Sequence, residues 1–326
     1  MAGQGTRLRP QTLTTPKPLI KIAGTTIIER IIKLLVKKSQ KKIKNIGFII
    51  QQPDPKVEKI LNIVGTQYNI GTSIFYQHES KGTAHAIYCA KKLLHHETLI
   101  VFADTLFETE LIFPKNADGC VFVKKVADPR AYGVIKLDSS GSITEFIEKP
   151  KDNISNLAIV GIYYFKDGNL LSEEIKKVLK QNIKIKGEYQ ITTVLENLKN
   201  KQLIFKPHHI SEWYDFGNVK NLLHSHKQIL KNENPTCNRF KNTQIVPPCY
   251  IGEGVEIEDS IIGPNVSLGS GTKIKKSKIT NSIIQSRSNI SNAELKDSII
   301  GNQVYYNGNF KSINIGDYST LKDENE

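Results

Sequence analysis

The chain has 326 residues, 39% of them hydrophobic and 24% charged, and Lys plus Arg exceed Asp plus Glu by 13. That length allows about two domains with a sizeable core, and no apolar run approaches the roughly 20 residues that cross a bilayer, which excludes a membrane-spanning helix. The surplus lysines, among them Lys33, Lys37, Lys38, Lys41, Lys42 and Lys44, are spread over helical faces without interleaved aromatics or an arginine arm, so they read as solvated faces and not as a nucleic-acid patch.

No secretory signal opens the chain, and a cytoplasmic protein is expected. Cys89, Cys120, Cys237 and Cys249 are scattered without a Cys-x-x-Cys pair and read as reduced, packed thiols. The first stretch, Gly3-Gln4-Gly5-Thr6-Arg7-Leu8-Arg9-Pro10, is followed closely by Thr15-Pro16-Lys17-Pro18-Leu19. Two glycines let backbone amides approach an anion, Arg7 offers a planar fork for phosphate, and Lys17 a compact charge on a proline-stiffened segment. By itself the stretch fits a flexible basic terminus equally well.

Ile27, Ile28, Ile31, Ile32, Leu34 and Leu35 then recur at helical spacing behind a Thr26-x-x-Glu29 capping box. Apolar strand runs at Ile46–Ile50, Thr72–Tyr76 and Leu99–Phe102 alternate with helical segments at Pro55–Val64 and Gly82–Leu94, the pattern of an α/β, mostly parallel sheet. Ligands of such sheets bind at the carboxyl ends of the strands, which gives Gln77 and Asp104 meaning. Asp104 beside a phosphate cradle suits a divalent cation; the plain alternative is a turn or helix-capping aspartate.

From Gly119 the signals turn antiparallel, with strands expected at Gly119–Val126, Tyr132–Leu137, Ser142–Glu148 and Ala158–Phe165 and a turn at Asp138-Ser139-Ser140-Gly141. Tyr132-Gly133-Val134, Glu148-Lys149-Pro150 and Gly161-Ile162-Tyr163 are candidate sugar contacts. Helices are expected at Asn169–Gln181 and Ile191–Asn200, the second preceded by Gly187-Glu188-Tyr189-Gln190, and a strand at Leu203–Pro207. Trp213-Tyr214-Asp215-Phe216-Gly217 brings a second acidic candidate. Asn232-Glu233-Asn234-Pro235 reads as a linker. Beyond it aliphatics recur every five or six positions, from Ile245, Ile251 and Ile257 to Ile300, often followed by glycine. That period fits a β-helix of hexapeptide turns with roughly three coils, its regularity fading from Asn302. Histidine adds little: His95-His96, His208-His209 and His224-x-His226 read as surface or packed residues.

The ordered set Gly-x-Gly-Thr-Arg-Leu-x-Pro, Pro-Lys-Pro-Leu, Gln-x(4)-Gly-Thr-Ala, an Asp after a strand, Tyr-Gly-Val, Glu-Lys-Pro, Gly-Ile-Tyr, Gly-Glu-Tyr-Gln and Trp-x-Asp-x-Gly resembles the sugar-1-phosphate nucleotidyltransferases. The resemblance is particularly to glucose-1-phosphate thymidylyltransferase-like enzymes of the long form. It implies a Rossmann-like α/β catalytic domain over residues 1–234, a left-handed parallel β-helix over 235–318 and a charged tail over 319–326. It implies that Gly3, Gly5, Thr6, Gln77, Gly82 and Thr83 bind the nucleotide and that Gly133, Glu148, Lys149, Tyr163 and Glu188 bind the sugar phosphate. Arg7, Lys17, Asp104 and Asp215 would be catalytic, the two aspartates holding Mg²⁺.

The implied substrates are an NTP, dTTP before UTP, and a sugar-1-phosphate, glucose-1-phosphate first, with no nucleic-acid or membrane partner and a homo-oligomer expected. The family places an apolar strand before the glycine loop, so a native start upstream of Met1 is expected. Lys21-Ile22-Ala23-Gly24-Thr25-Thr26 stands where the family has Pro-x-x-Gly-Lys-Pro, and Ile191-Thr192-Thr193 lacks a frequent aspartate. The competing readings are an inactive nucleotide-binding paralogue, a mannose-1-phosphate guanylyltransferase-type enzyme and, for the repeat alone, an acyltransferase.

Overall fold

The computed structural model describes residues 1–3, 5–233, 240–308 and 313–321. The expected linker from Asn234, Cys237 and the charged end from Lys322 lie outside the described residues. Through Glu233 the chain runs β1 (Lys21–Ile22), β2 (Thr25–Thr26), α1 (Ile27–Lys38), β3 (Asn45–Ile50), α2 (Pro55–Gln67), β4 (Gly71–Tyr76), α3 (Thr83–Cys89), β5 (Thr98–Val101), β6 (Thr105–Glu108), β7 (Gly119–Lys125), β8 (Gly133–Leu137), β9 (Ile143–Glu148), β10 (Leu157–Phe165), α4 (Gly168–Lys180), α5 (Ile191–Asn200), β11 (Phe205–His209), β12 (Glu212–Asp215) and α6 (Val219–Glu233). Two compact units emerge, one of residues 1–3 and 31–213, the other of 4–30 and 214–326. No described helix is long and apolar enough to cross a membrane.

The first unit is Rossmann-like α/β. β3 and β4 pair in parallel from Asn45↔Gly71 to Ile50↔Tyr76, with α2 between them in sequence. Asp54 caps α2 by accepting from Lys56 N at 2.9 Å and Val57 N at 3.1 Å, and Pro55 fits the first turn because its nitrogen needs no partner there. A sheet of order β11-β7-β10-β8-β9 follows, with β5 also on β10. β8 and β9 form the expected antiparallel hairpin, and β11 runs parallel to β7. β10 lies at the centre, buried from Ala158 to Phe165, and shares one core with α3, α4 and α5 through Tyr163, Ile87, Leu171, Ile175, Val194 and Leu195.

The register of β10 on β7 shifts between Ile159 and Tyr163. Gly161 sits in that bulge at φ +82°, where a Cβ would lie 2.8 Å from Phe102 Cδ2, and its carbonyl accepts from Phe102 N at 2.9 Å. The bulge therefore seats the end of β5, three residues before Asp104. The helix expected over Gly82–Leu94 ends at Cys89 and continues as a 3₁₀ turn, Lys91–Leu93.

The second unit contains a left-handed parallel β-helix. Among the described residues one face carries four strands and each of the others five, so the three coils expected from the aliphatic period are too few. Successive rungs are 15 to 17 residues apart, as at Ile257, Ile274, Ile290, Tyr306 and Leu321, which stack in register. The fading after Asn302 is corrected as well. Tyr306 takes the inward position that aliphatics hold elsewhere, and strands continue through Thr320–Leu321. The recurring glycines have a packing cause: a Cβ on Gly252 or Gly269 would stand 2.7 or 2.5 Å from the backbone nitrogen of the next coil. Left-handed residues such as Asn265, Asn281 and Asp297 recur as a column of corners.

Residues 5–30 belong to this same unit, and side chains hold them there. Gln11 Nε2 donates to Ile315 O at 2.6 Å and Ile299 O at 3.2 Å, and Asn314 Nδ2 donates to Arg9 O at 3.0 Å. Thr14 donates to Asp317 Oδ2 at 2.7 Å, and Gln285 Nε2 to Lys21 O at 3.1 Å.

Candidate active site

The glycine loop needs glycine at Gly5, which has φ +60° and whose Cβ would lie 2.9 Å from Thr12 Cγ2. Thr12 Oγ1 donates to Gly5 O at 2.8 Å and closes the loop. Gly3 is not constrained in this way, since nothing lies within 4 Å of where its Cβ would be. Thr6 and Arg7 sit exposed in a 3₁₀ turn pinned by the buried Leu8. Lys17 opens a second such turn, anchored by buried Pro18 and Leu19.

Asp215, at the end of β12, has both carboxylate oxygens oriented: Oδ1 accepts from Gly217 N at 2.7 Å and Oδ2 from Asn221 Nδ2 at 2.6 Å. A Cβ on Gly217 would stand 2.9 Å from Asp215 Oδ1 and 3.5 Å from Arg7 Nη2, so Arg7 and Asp215 face one small space within this unit. Among the described residues no three His, Cys, Asp or Glu side chains gather as a metal cage. A pre-oriented carboxylate suits Mg²⁺, which uses one or two carboxylates and completes its shell with phosphate and water oxygens.

In the other unit the expected base and sugar residues form two groups. Gln77 directly follows β4 and folds back on the Gly82 turn, its Nε2 donating to Gly82 O at 3.1 Å. Gly82 has φ +106°, and a Cβ there would meet Tyr189 O at 2.5 Å. That close approach is made by the Glu188–Gln190 segment, with Tyr189 N donating to Lys81 O and Ala84 N to Tyr189 O, both at 2.9 Å. Thr83 Oγ1 accepts from Ile191 N at 2.9 Å, so its hydroxyl starts α5. Glu188 is exposed, its Oε2 accepting from Gln190 Nε2 at 2.8 Å.

The second group forms on the β8–β9 hairpin, where Gly133 is the direct partner of Glu148. The Glu148 side chain is only 10% exposed, its Oε2 accepts from Thr192 Oγ1 at 3.0 Å, and Lys149 Nζ lies 3.6 Å from Oε1. Buried Tyr163 has its phenol pushed up by burial first, then by the Glu148 and Asp104 carboxylates, which places all three in one neighbourhood. Tyr132 and Trp213 meet edge to face at 4.9 Å.

Two participants escaped the sequence reading. Thr192, in the segment that lacks the family's aspartate, holds Glu148. His85, two residues after Thr83, braces Gln77, with Gln77 Nε2 2.9 Å from its Nδ1. Helical spacing could have found it, since His85 is one turn from Lys81 and Gly82.

A family model described as nucleotidyl transferase matches residues 1–232. The chain is similar to the glucose-1-phosphate thymidylyltransferase of Streptomyces antibioticus, 26% identical over 98% of this chain and 97% of the relative. It is similar to the bifunctional protein GlmU of Methanococcus aeolicus, 30% identical over 92% of this chain and 76% of the relative. The solved structure of a nucleoside-diphosphate-sugar pyrophosphorylase from Vibrio cholerae shares the fold, with a TM-score of 0.59 at 21% identity over 70% of this chain and 98% of that one.

Proposed function

We propose, given that the chain belongs to the nucleotidyl transferase family, that it transfers a nucleoside monophosphate from an NTP to a sugar-1-phosphate and releases pyrophosphate. The nucleotide is dTTP or, second, UTP, and the sugar phosphate is glucose-1-phosphate. The observation that carries the sugar half of this reading is Glu148, a nearly buried carboxylate held by Thr192 and paired across the hairpin with Gly133. Such a carboxylate accepts hydroxyl protons.

In the proposed reaction a phosphate oxygen of the sugar-1-phosphate forms a bond to the α-phosphorus of the NTP while the α–β bridging bond breaks. The nucleophile is already an anion, so no general base is required. The work is in-line positioning and charge neutralisation. Arg7 binds the nucleotide's phosphates, and Lys17 stabilises the phosphorus under attack. Gln77 and Gly82 take the base, while Gly133, Glu148, Lys149, Tyr163 and Glu188 take the sugar phosphate. Mg²⁺, when bound through Asp104 and Asp215, supplies further neutralisation of the phosphate oxygens.

The test is a pyrophosphate-release assay with Mg²⁺, pairing dTTP, UTP, CTP, GTP and ATP with several sugar-1-phosphates. The highest kcat/KM is expected for dTTP or UTP with glucose-1-phosphate. No turnover with any pair, or turnover confined to purine nucleotides, would overturn the assignment.

A further inference from the structure

Gln77 is 3% exposed, and its backbone N–H extends the β3–β4 pairing by donating to Ile50 O at 2.8 Å. Its side-chain nitrogen has two neighbours, Gly82 O at 3.1 Å and His85 Nδ1 at 2.9 Å. A backbone carbonyl only accepts, so the Gln77 atom beside it is the NH₂ and not the amide oxygen, whatever the imidazole does. The second NH₂ proton then points at His85 Nδ1, which must offer a lone pair. His85 is therefore neutral, with its proton on Nε2. Its surroundings agree: burial lowers its pKa first, the Lys81 charge lowers it further, and Glu79 opposes them more weakly. Both amide protons are spent inside the turn, and among the described residues nothing donates to Gln77 Oε1.

We propose that His85 is a positioning residue that locks the Gln77 amide in one orientation, so that only an acceptor, Oε1, is presented to the nucleotide base. An acceptor takes the imide N3–H of thymine or uracil and repels cytosine, whose N3 is itself an acceptor. The proposal rests on the nucleotidyl-transfer reading above and supplies the origin of its preference among pyrimidines. The brace is local and rigid, because Gly82 and Tyr189 hold the turn on which both residues sit.

The experiment measures binding of UTP, dTTP and CTP by calorimetry, alongside turnover, for the full chain and for His85→Asn and His85→Leu, with circular dichroism as the folding control. Asn carries its Oδ1 on Cγ where His carries Nδ1, so it keeps the acceptor, whereas Leu removes it. The unsubstituted chain and His85→Asn are expected to bind UTP at least about 10-fold more tightly than CTP. His85→Leu should lose most of that ratio, on the scale of one hydrogen bond. Equal affinities for UTP and CTP in the unsubstituted chain would overturn the proposal without any variant. So would a folded His85→Leu with its discrimination intact, or a folded His85→Asn that has lost it. If binding discriminates as expected but no sugar phosphate is turned over, the nucleotidyl-transfer reading fails while the brace stands.

Discussion

Thr192 Oγ1 donates to Glu148 Oε2 across 3.0 Å, so the first turn of α5 fixes the carboxylate at the end of β9. Gly133 lies against both, its Cβ position 3.0 Å from Thr192 Cγ2 and 3.3 Å from Glu148 Oε2. Thr192→Val keeps the shape and removes the donor. KM for the sugar-1-phosphate is expected to rise about 10-fold while KM for the NTP stays put, a split that steady-state kinetics reads directly. An equal rise in both would count against a sugar-side role.

Lys17→Ala and Asp104→Ala should each lower kcat by about 10²–10³, the usual scale for losing one pre-oriented charge stabiliser. Single-turnover rates with saturating substrates measure this without interference from product release. Near-normal rates in both variants would remove these residues from the chemistry.

His226 is wholly buried, its Nε2 2.7 Å from Ser267 Oγ and its Nδ1 without a partner. Burial first, then the charge of Arg30, hold its pKa at about 3. The unfolded chain takes up this proton near pH 6.5, the folded chain only near 3. The contribution to stability is thus complete above about 6.5 and is lost as the pH falls below it, at up to about 1.4 kcal/mol per pH unit. Urea unfolding at pH 7, 6 and 5 should show the advantage of the unsubstituted chain over His226→Gln shrinking on acidification. A constant difference would refute the linkage.

Ile279 is fully buried between Ile262 and Leu295 of adjacent coils. Ile279→Ala should cost about 2–5 kcal/mol by transfer and cavity effects. Gly269→Ala should also destabilise, since the nearest atoms in the way are not of a side chain that could give ground but of the backbone of Gln285 and Ser286. Denaturant midpoints test both, and Ala at Gly269 without loss would show that the coils can part.

Much of this architecture was legible because it is periodic or local. The Ile27–Leu35 stripe marked α1, and Thr26 does cap it, accepting from Glu29 N at 3.2 Å. The Asp138–Gly141 turn marked the hairpin, with Asp138 Oδ1 accepting from Ser140 N and Ser142 N, both at 2.9 Å. The five-to-six spacing marked the β-helix. The number of coils was not legible, because the count assumed aliphatic rungs and Tyr306 fills one. Short strands such as β1, β2 and β6 hold too few residues to show alternation. Contacts between distant positions leave no mark on spacing: Thr192 with Glu148, and Gln11 with Ile299, join residues that local pattern cannot relate.

The contacts of Gln11, Arg9 and Thr14 with Ile299, Asn314, Ile315 and Asp317 also set an order in time. The loop that bears Arg7 leaves a ribosome well before the rungs that seat it. Until those rungs emerge the loop waits without its support, and closing so long a chain segment is slow. A stalled chain ending near residue 290 should therefore be cut by trypsin after Arg7, and release of the remaining residues should slow that cut.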